Sequence, residues 1–298
     1  PMFYNIGSNL FNVLGNYLLI YGKLGLPKMG VTGAALSTVI SRILACLFGL
    51  YVLYTNKSVI SVSRRTKFKF DFGIIRKVLS IGMPSALEQF VIQGGLTLFA
   101  RTVSSLGTAD FAAHQIGINI SGLSFAPSMA FGVAATTLVG QSLGAGEKQK
   151  AKEYADIIHH MAIIVACAVG VLFLLFSHPL ARLYNKETAV VALAGLVLKI
   201  LALAQPGQST QLTLAGALRG AGDTMYPLYA SIFGIWIFRV FVAYVFVSIF
   251  NWGLVGAWVA LVLDQYTRAG VVYLRYRSGK WMDRKVRSVK AEEPDAAN

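Results

Sequence analysis

Charged residues are scarce in this chain, and acidic ones are the scarcest. Only 13% of the 298 residues are charged, and the 13 Asp and Glu are outnumbered by 27 Lys and Arg. Soluble domains carry roughly 25% charged residues, so this composition excludes an ordinary soluble enzyme. A hydrophobic fraction of 55% and a mean hydropathy of +0.60 also exclude a disordered chain. The composition therefore predicts an integral membrane protein.

Cysteine and histidine are rare as well, with two and four residues. Cys46 and Cys167 lie far apart within apolar runs, so we expect them to pack in the core rather than to form a metal or redox site. No set of histidine, aspartate and cysteine has the spacing of a nucleophile with its base, or of a metalloenzyme. The sequence predicts neither an enzyme nor a resident cofactor.

Long apolar runs account for most of the sequence. A run of about 20 residues is long enough to cross a bilayer as a helix, and eight such runs are present. The predicted spans are Met2–Tyr21, Val31–Tyr54, Gly82–Leu106, Phe111–Val139, Ile157–Phe176, Ala189–Leu214, Tyr226–Phe250 and Leu254–Leu274. This pattern predicts an all-α polytopic membrane protein.

The net charge of +14 would indicate nucleic-acid binding in a soluble protein. Here 18 of the 27 basic residues lie on one side of the predicted helices, four lie on the other side and five lie within spans. Basic loops stay in the cytoplasm. The charges therefore predict membrane topology with a cytoplasmic C-terminus, and membrane lipid rather than nucleic acid as the partner.

An internal repeat indicates two lobes. The segment GVTGAAL, which begins at Gly30, recurs as GLVGAWV from Gly253, at an offset of 223 residues. Both segments follow a short outer turn and re-enter the membrane in the same direction. A parallel repeat of this kind is typical of two-lobed transporters.

The basic segment 56–81 divides the spans into unequal groups. Residues 1–55 are predicted to be the last two helices of an N-terminal lobe, 56–81 a cytoplasmic linker, and 82–276 a complete six-helix C-terminal lobe. Residues 277–298 form a cytoplasmic tail, and the charged sequence from Arg275 onwards is expected to be disordered. Because one lobe has six spans and the other two, we expect about four further helices before this chain, which would make it a fragment.

Three segments resemble the multidrug and toxic compound extrusion (MATE) transporters. They are GMPSALEQ (Gly82–Gln89), AAHQIGINISGLSFAPSMAFGVAATTLVGQSLGAGE (Ala112–Glu147) and GALRGAGDTMYP (Gly216–Pro227). The resemblance runs from family helix five to helix twelve. It implies a two-lobed helical bundle transporter, monomeric in the bacterial inner membrane. It also implies export of small organic, often cationic compounds, driven by Na⁺ or H⁺ through alternating access.

Glu88 is the strongest candidate for a functional residue. It is the only acid in the interior of the third span and lies one turn after Pro84. An ionisable group at this depth is costly, and it normally faces a cavity or a partner. The carboxylate can exchange a proton or bind Na⁺, the only metal site that the sequence predicts. The alternative is a structural ion pair with a nearby cation such as Lys199. In one branch of the family the glutamate lies four residues further on, where this chain has Ile92.

Amide side chains are the candidates for lining a cavity. Three glutamines are spaced by three residues around Pro206, which frees a backbone carbonyl, and Gln208 replaces an aspartate of the same family branch. Four asparagines lie on one face of the first span. The complete set is Gln205, Gln208, Gln211, Asn5, Asn9, Asn12, Asn16 and Asn119. These amides either line a path for substrate and water or join helices by hydrogen bonds.

Arg239 and Asp264 are predicted to form a structural ion pair. Both lie about twelve residues from the turn between the last two spans, so antiparallel helices place them at equal depth, where an unpaired charge is costly. Arg268, one turn beyond Asp264, is the competing partner. Near the cytoplasmic side we expect Asp223 to pair with Arg219.

These observations leave three functions. The first is a cation-coupled antiporter that exports drugs or toxic compounds. The second is a lipid-linked oligosaccharide flippase of the same superfamily, which would need a more basic cavity than the sequence indicates. The third, an intramembrane enzyme, is disfavoured because the chain lacks convergent catalytic residues.

Overall fold

The computed structural model describes residues 2–23, 25, 27–54 and 72–283, and this part of the chain forms eight long helices. They are α1 (Met2–Tyr21), α2 (Gly30–Tyr54), α3 (Phe72–Ser104), α4 (Thr108–Gly144), α5 (Lys148–Tyr184), α6 (Thr188–Gly220), α7 (Met225–Ile249) and α8 (Gly253–Arg277). A 3₁₀ turn, Lys280–Asp283, follows α8. Each predicted span overlaps one helix, although α3 and α5 extend well beyond the predicted bounds. The all-α fold class is confirmed, and the chain divides into two compact units, Pro1–Asp71 and Phe72–Asn298.

The predicted end of the linker is wrong. Helix α3 begins at Phe72, ten residues before the predicted start at Gly82, so the last ten residues of segment 56–81 are helical. Apolar residues at Phe72, Ile75 and Val78 recur with helical spacing. Arg76 and Lys77 lie among them, and their charge assigned this stretch to the basic linker. Residues 56–71 lie outside the described part of the chain.

The predicted disorder from Arg275 is also wrong for the first nine residues. Trp281 is fully buried, stacks on Tyr276 with ring centroids 5.4 Å apart, and donates its indole N–H to the Tyr276 carbonyl at 2.9 Å. Arg275 Nε lies 2.7 Å from Asp223 Oδ2. An aromatic anchor and an ion pair therefore hold residues 275–283 against the helices, whereas residues 284–298 lie outside the described part.

The smaller unit is a helical hairpin joined by hydrogen bonds. The Ser37 hydroxyl donates to the Asn12 carbonyl at 3.1 Å, and the Ser8 hydroxyl donates to the Ser41 carbonyl at 3.2 Å. Most apolar side chains of the hairpin remain exposed, as at Val13. In a bilayer such bonds can join helices without hydrophobic burial between them.

The larger unit is built around α6, which packs against α4, α5 and α8. Its outward surface is apolar: Leu123, Ile164 and Leu175 are each 68–69% exposed. A large exposed apolar surface marks contact with another apolar phase. Among the described helices, α2 and α4 to α7 are long and apolar enough to cross a membrane.

Both cysteines contradict the prediction that they pack in the core. Cys46 and Cys167 are exposed and unpaired. The rule that free cysteine is buried applies to proteins in water. On the outside of apolar helices, a small hydrophobic side chain can instead face lipid.

Helices α4 and α6 cross at glycines. A Cβ atom on Gly216 would overlap the backbone oxygen of Gly132, and a Cβ on Gly220 would overlap that of Thr136. The Thr136 hydroxyl lies 2.8 Å from the carbonyl oxygens of both Gly132 and Gly216. Small residues let membrane helices approach this closely.

We expect Gly216→Ala to destabilise the larger unit. The added methyl group must separate two backbones, and overpacking of this kind costs about 1–3 kcal/mol. Thermal unfolding in detergent should show a lower midpoint. Gly122→Ala is the matched control, because its Cβ meets nothing within 4 Å and alanine favours a helix. Equal unfolding midpoints for the two variants would contradict the proposed crossing.

Candidate functional site

A cavity of about 550 Å³ lies within the larger unit and is lined by α3, α4, α6, α7 and α8. Its polar lining residues include Glu88, Gln89, Gln208, Gln211, Arg219, Arg239, Gln265 and Arg268. The remaining wall is largely apolar, with Ile92, Phe125 and Met129 among its residues. Ligand cavities typically measure about 300–1,000 Å³ and combine apolar walls with a few polar groups, so this cavity is the candidate site.

Glu88 is one of the residues that line this cavity, and it is 1% exposed. Arg219 Nη2 donates to both carboxylate oxygens at 2.8 Å, and the Ser231 hydroxyl donates to Oε1 at 3.0 Å. The carboxylate therefore joins α3 to α6 and α7. Pro84, one turn earlier, interrupts the backbone hydrogen bonding of α3 next to this contact.

Two predicted pairings near Glu88 are corrected by the structure. The cation beside Glu88 is Arg219, whereas Lys199, the suggested partner, is exposed on α6. Asp223 does not pair with Arg219 as predicted, but with Arg275. Sequence proximity favoured the local pair, whereas the packing of α3 on α7 and the reach of the Arg219 side chain from α6 favour the long-range one.

A second charged group closes another part of the cavity. Arg239 Nη2 lies 2.7 Å from Asp264 Oδ2, and Arg268 Nε lies 2.9 Å from Asp264 Oδ1. The structure thus brings together the two residues that the hairpin spacing predicted to pair. Arg268 is a third member of the group rather than a competitor. Asp264 is fully buried between two guanidinium groups.

Local backbone features make room for this group. Gly234 on α7 has no side chain, and a Cβ at this position would overlap Arg268 and approach Asp264. The segment Ile232–Val242, which carries Arg239, has π-helical hydrogen bonding. Such irregular turns are frequent at functional sites.

The predicted glutamine group is only partly in the cavity. Gln208 and Gln211 line it, and Gln265 Nε2 donates to Gln208 Oε1 at 3.3 Å. Gln265 in turn accepts a hydrogen bond from Arg268 at 2.8 Å. The structure does not bring Gln205 to the wall, since its amide bonds to the carbonyl one turn earlier.

The predicted asparagines lie elsewhere. Asn119 is exposed on α4 and is not among the residues that line the cavity. In the smaller unit, Asn12 donates to the Thr38 hydroxyl and accepts from Asn16, both at 3.2 Å. These contacts favour helix packing over cavity lining. Asn9 is exposed, and the Asn5 side chain lies outside the described part.

Sequence reasoning missed several residues of the site. Arg219 and Ser231 complete the Glu88 contact, and Gln265 connects Gln208 to the charged group. Gln265 follows Asp264 in an otherwise apolar stretch, which is a usable signal. Ser231 carries no such signal, because small hydroxyl residues are common in membrane helices.

With the geometry established, comparison with known proteins identifies the family. The MatE family model matches residues 84–245, more than half of the chain. The chain belongs to the MatE family. Members of this family are membrane-embedded secondary transporters, not enzymes.

Individual relatives agree with this assignment. The "Probable multidrug resistance protein NorM" of Thermotoga maritima is 33% identical over 293 residues, covering 96% of this chain and 61% of that protein. The NorM protein of Pasteurella multocida is 32% identical, covering 89% of this chain and 59% of that protein. A solved MOP superfamily transporter from Pyrococcus furiosus superposes with a TM-score of 0.86 at 23% identity, covering 94% of this chain and 62% of that chain. This MatE chain thus spans about 60% of the length of such relatives.

Proposed function

We propose that this chain acts in an antiporter that exports drugs or toxic organic compounds, with Na⁺ or H⁺ as the coupling ion. The observation that carries the proposal is the buried contact of Glu88 with Arg219 and Ser231 at the edge of a ligand-sized cavity. The names of the NorM relatives support multidrug export. The bacterial relatives support an inner-membrane location, and the distribution of basic residues supports a cytoplasmic C-terminus.

In this proposal the coupling ion competes with Arg219 for Glu88. A proton would neutralise the carboxylate, and Na⁺ would take its oxygens as ligands, so either ion weakens the attraction to Arg219. The contact between α3 and α6 would then open. Because one ion changes the relative stability of two helix arrangements, its movement down a gradient can drive alternating access.

The cavity would hold the exported compound during this cycle. Its apolar wall, with Ile92, Phe125 and Met129, can bind different hydrophobic bodies, and methionine adapts to varied shapes. The glutamines at 208 and 211 supply hydrogen bonds without a fixed charge. Such a surface suits a transporter with several substrates.

Gradient-driven flux tests the proposal. The full product of the gene that encodes this chain should be reconstituted in vesicles loaded with ethidium, a cationic dye, or carboxyfluorescein, an anionic dye. We expect export of at least one dye when an opposing Na⁺ or pH gradient is imposed, and its loss when an ionophore collapses that gradient. Equal leakage of both dyes with and without gradients would contradict the proposal.

A lipid-linked oligosaccharide flippase remains the second candidate. The observation that favours it is the number of arginines on the cavity wall: Arg219, Arg239 and Arg268 against the single lining carboxylate of Glu88. A flippase would move a prenyl-pyrophosphate sugar between leaflets and leave both dyes in place. The same vesicles, assayed with such a lipid, separate the two functions.

A further inference from the structure

Among the described residues at the cavity, three arginines face only two buried carboxylates, so one positive charge has no counter-charge of its own. Glu88 is paired with Arg219, which leaves Asp264 to serve both Arg239 and Arg268. Asp264 is fully buried, and the side chains of both arginines are 8% exposed. A buried charge without a counter-charge is costly at membrane depth. The wall around Arg239 and Arg268 therefore favours an anion.

The same wall has N–H donors without acceptors among the described residues. They are Arg239 Nε, Gln208 Nε2 and Trp258 Nε1, all buried on residues that line this cavity. An unsatisfied buried donor costs about 1–3 kcal/mol. The buried acceptor Asp264 Oδ1 cannot serve these donors, because Arg268 Nε already lies 2.9 Å from it. What these three residues have in common is the need for a hydrogen-bond acceptor.

The neighbouring wall limits what can bring that acceptor. Phe125, Met129 and Leu212 line the cavity, and the Phe125 and Met129 side chains offer no hydrogen bonds to the water shell of a small inorganic ion. A carboxylate on an apolar body would bring its negative charge to Arg239 and Arg268, the two cations of this wall that share one counter-charge. Its body would then lie on the apolar side.

We propose that this cavity binds the carboxylate of an amphipathic organic acid or zwitterion. The inference rests on the proposed function in taking the cavity as the substrate site, and goes beyond it in naming the charge class. It replaces the often cationic class that the family resemblance implied. Glu88 does not offset this charge, because Arg219 already neutralises it.

Three probes of one shape test the charge preference. Binding of 1-naphthoate, 1-naphthylmethylammonium and the neutral 1-naphthamide to the purified full gene product should be measured by titration calorimetry in detergent. We expect 1-naphthoate to bind at least about 10-fold more tightly than either other probe, a difference of about 1.4 kcal/mol. Equal affinities, or tighter binding of the ammonium, would overturn the proposal.

Two variants locate the site. Gln208→Glu supplies a carboxylate from the protein and should weaken 1-naphthoate binding at least about 10-fold, while thermal unfolding in detergent shows an unchanged or higher midpoint. Arg239→Gln removes the surplus charge, leaves Asp264 paired with Arg268, and should abolish the preference for 1-naphthoate. Gln141→Glu, the same change at an exposed position on α4, should leave binding unchanged. Wild-type affinity in both folded cavity variants would overturn the proposal.

Competition experiments distinguish an organic carboxylate from an inorganic anion or a lipid pyrophosphate as the ligand of this site. Displacement of 1-naphthoate by chloride, with gluconate inactive, would assign the site to an inorganic ion and overturn the proposal. Farnesyl pyrophosphate binding at least about 10-fold more tightly than 1-naphthoate would favour a lipid pyrophosphate and also overturn it. The binding test uses no gradient, so a protein that fails to couple export to an ion can still show the preference for 1-naphthoate. Conversely, a protein without this preference can still export dye under a gradient, so the two proposals fail independently.

Discussion

Glu88→Gln is expected to abolish gradient-driven efflux in the full gene product while leaving membrane insertion and folding intact. The amide cannot take up a proton, and it is a weaker Na⁺ ligand than a carboxylate. Its oxygen can still accept hydrogen bonds from Arg219 and Ser231, which contact the carboxylate in the wild type. Dye flux in vesicles under an imposed gradient should fall to the rate of protein-free vesicles.

A conservative variant and an exposed control show whether the lost flux is specific to the Glu88 carboxylate. Glu88→Asp keeps the charge but shortens the reach, so we expect partial flux. Glu153→Gln makes the same chemical change at an exposed position on α5 and should leave flux unchanged. Export by Glu88→Gln at the wild-type rate would place the coupling site elsewhere.

Asp264→Asn should cause the largest loss of stability in the larger unit. Its fully buried carboxylate is the counter-charge of both Arg239 and Arg268. Removing one partner of a buried ion pair typically costs about 3–5 kcal/mol, because the other charge is left uncompensated. Here two cations are left, so thermal unfolding in detergent should show a markedly lower midpoint, or expression should fail.

Arg239→Gln is the matched comparison for that loss. It leaves Asp264 paired with Arg268, so the cost should be about 1.5–3 kcal/mol, the value of a hydrogen bond to a charged group, and smaller than that of Asp264→Asn. If Arg239→Gln destabilised the protein as strongly as Asp264→Asn, Arg268 would not be an effective partner.

If Arg239 and Asp264 formed a simple pair, reversing both charges together would restore the stability lost in each single reversal. Here Asp264→Arg would place a second guanidinium beside Arg268, so we expect no rescue by the double reversal.

The sequence predicted the features that depend on local pattern. Apolar runs located the eight described helices, five of which are long and apolar enough to cross a membrane. Equal distance from one turn placed Arg239 beside Asp264, since antiparallel helices of known rise keep such residues at the same depth. Counting residues from a turn requires only that the two helices follow each other in the chain and pack side by side.

Contacts between distant helices could not be predicted in this way. Arg219 lies 131 residues from Glu88, and its partner depends on how α3, α6 and α7 pack together. Trp281 was missed because its neighbours are charged, although one buried aromatic ring is enough to anchor a short turn. The exposed cysteines show that rules of burial learned in water fail on a lipid-facing surface.

The most direct test of the account is the infrared difference spectrum of the purified full gene product on addition of the coupling ion. Competition between the ion and Arg219 predicts a change in the carboxylate stretching bands when Na⁺ is added or the pH is lowered. The component of this change that comes from Glu88 should be missing from Glu88→Gln and retained in Glu153→Gln. Identical difference spectra for the wild type and Glu88→Gln would contradict the claim that Glu88 carries the coupling ion.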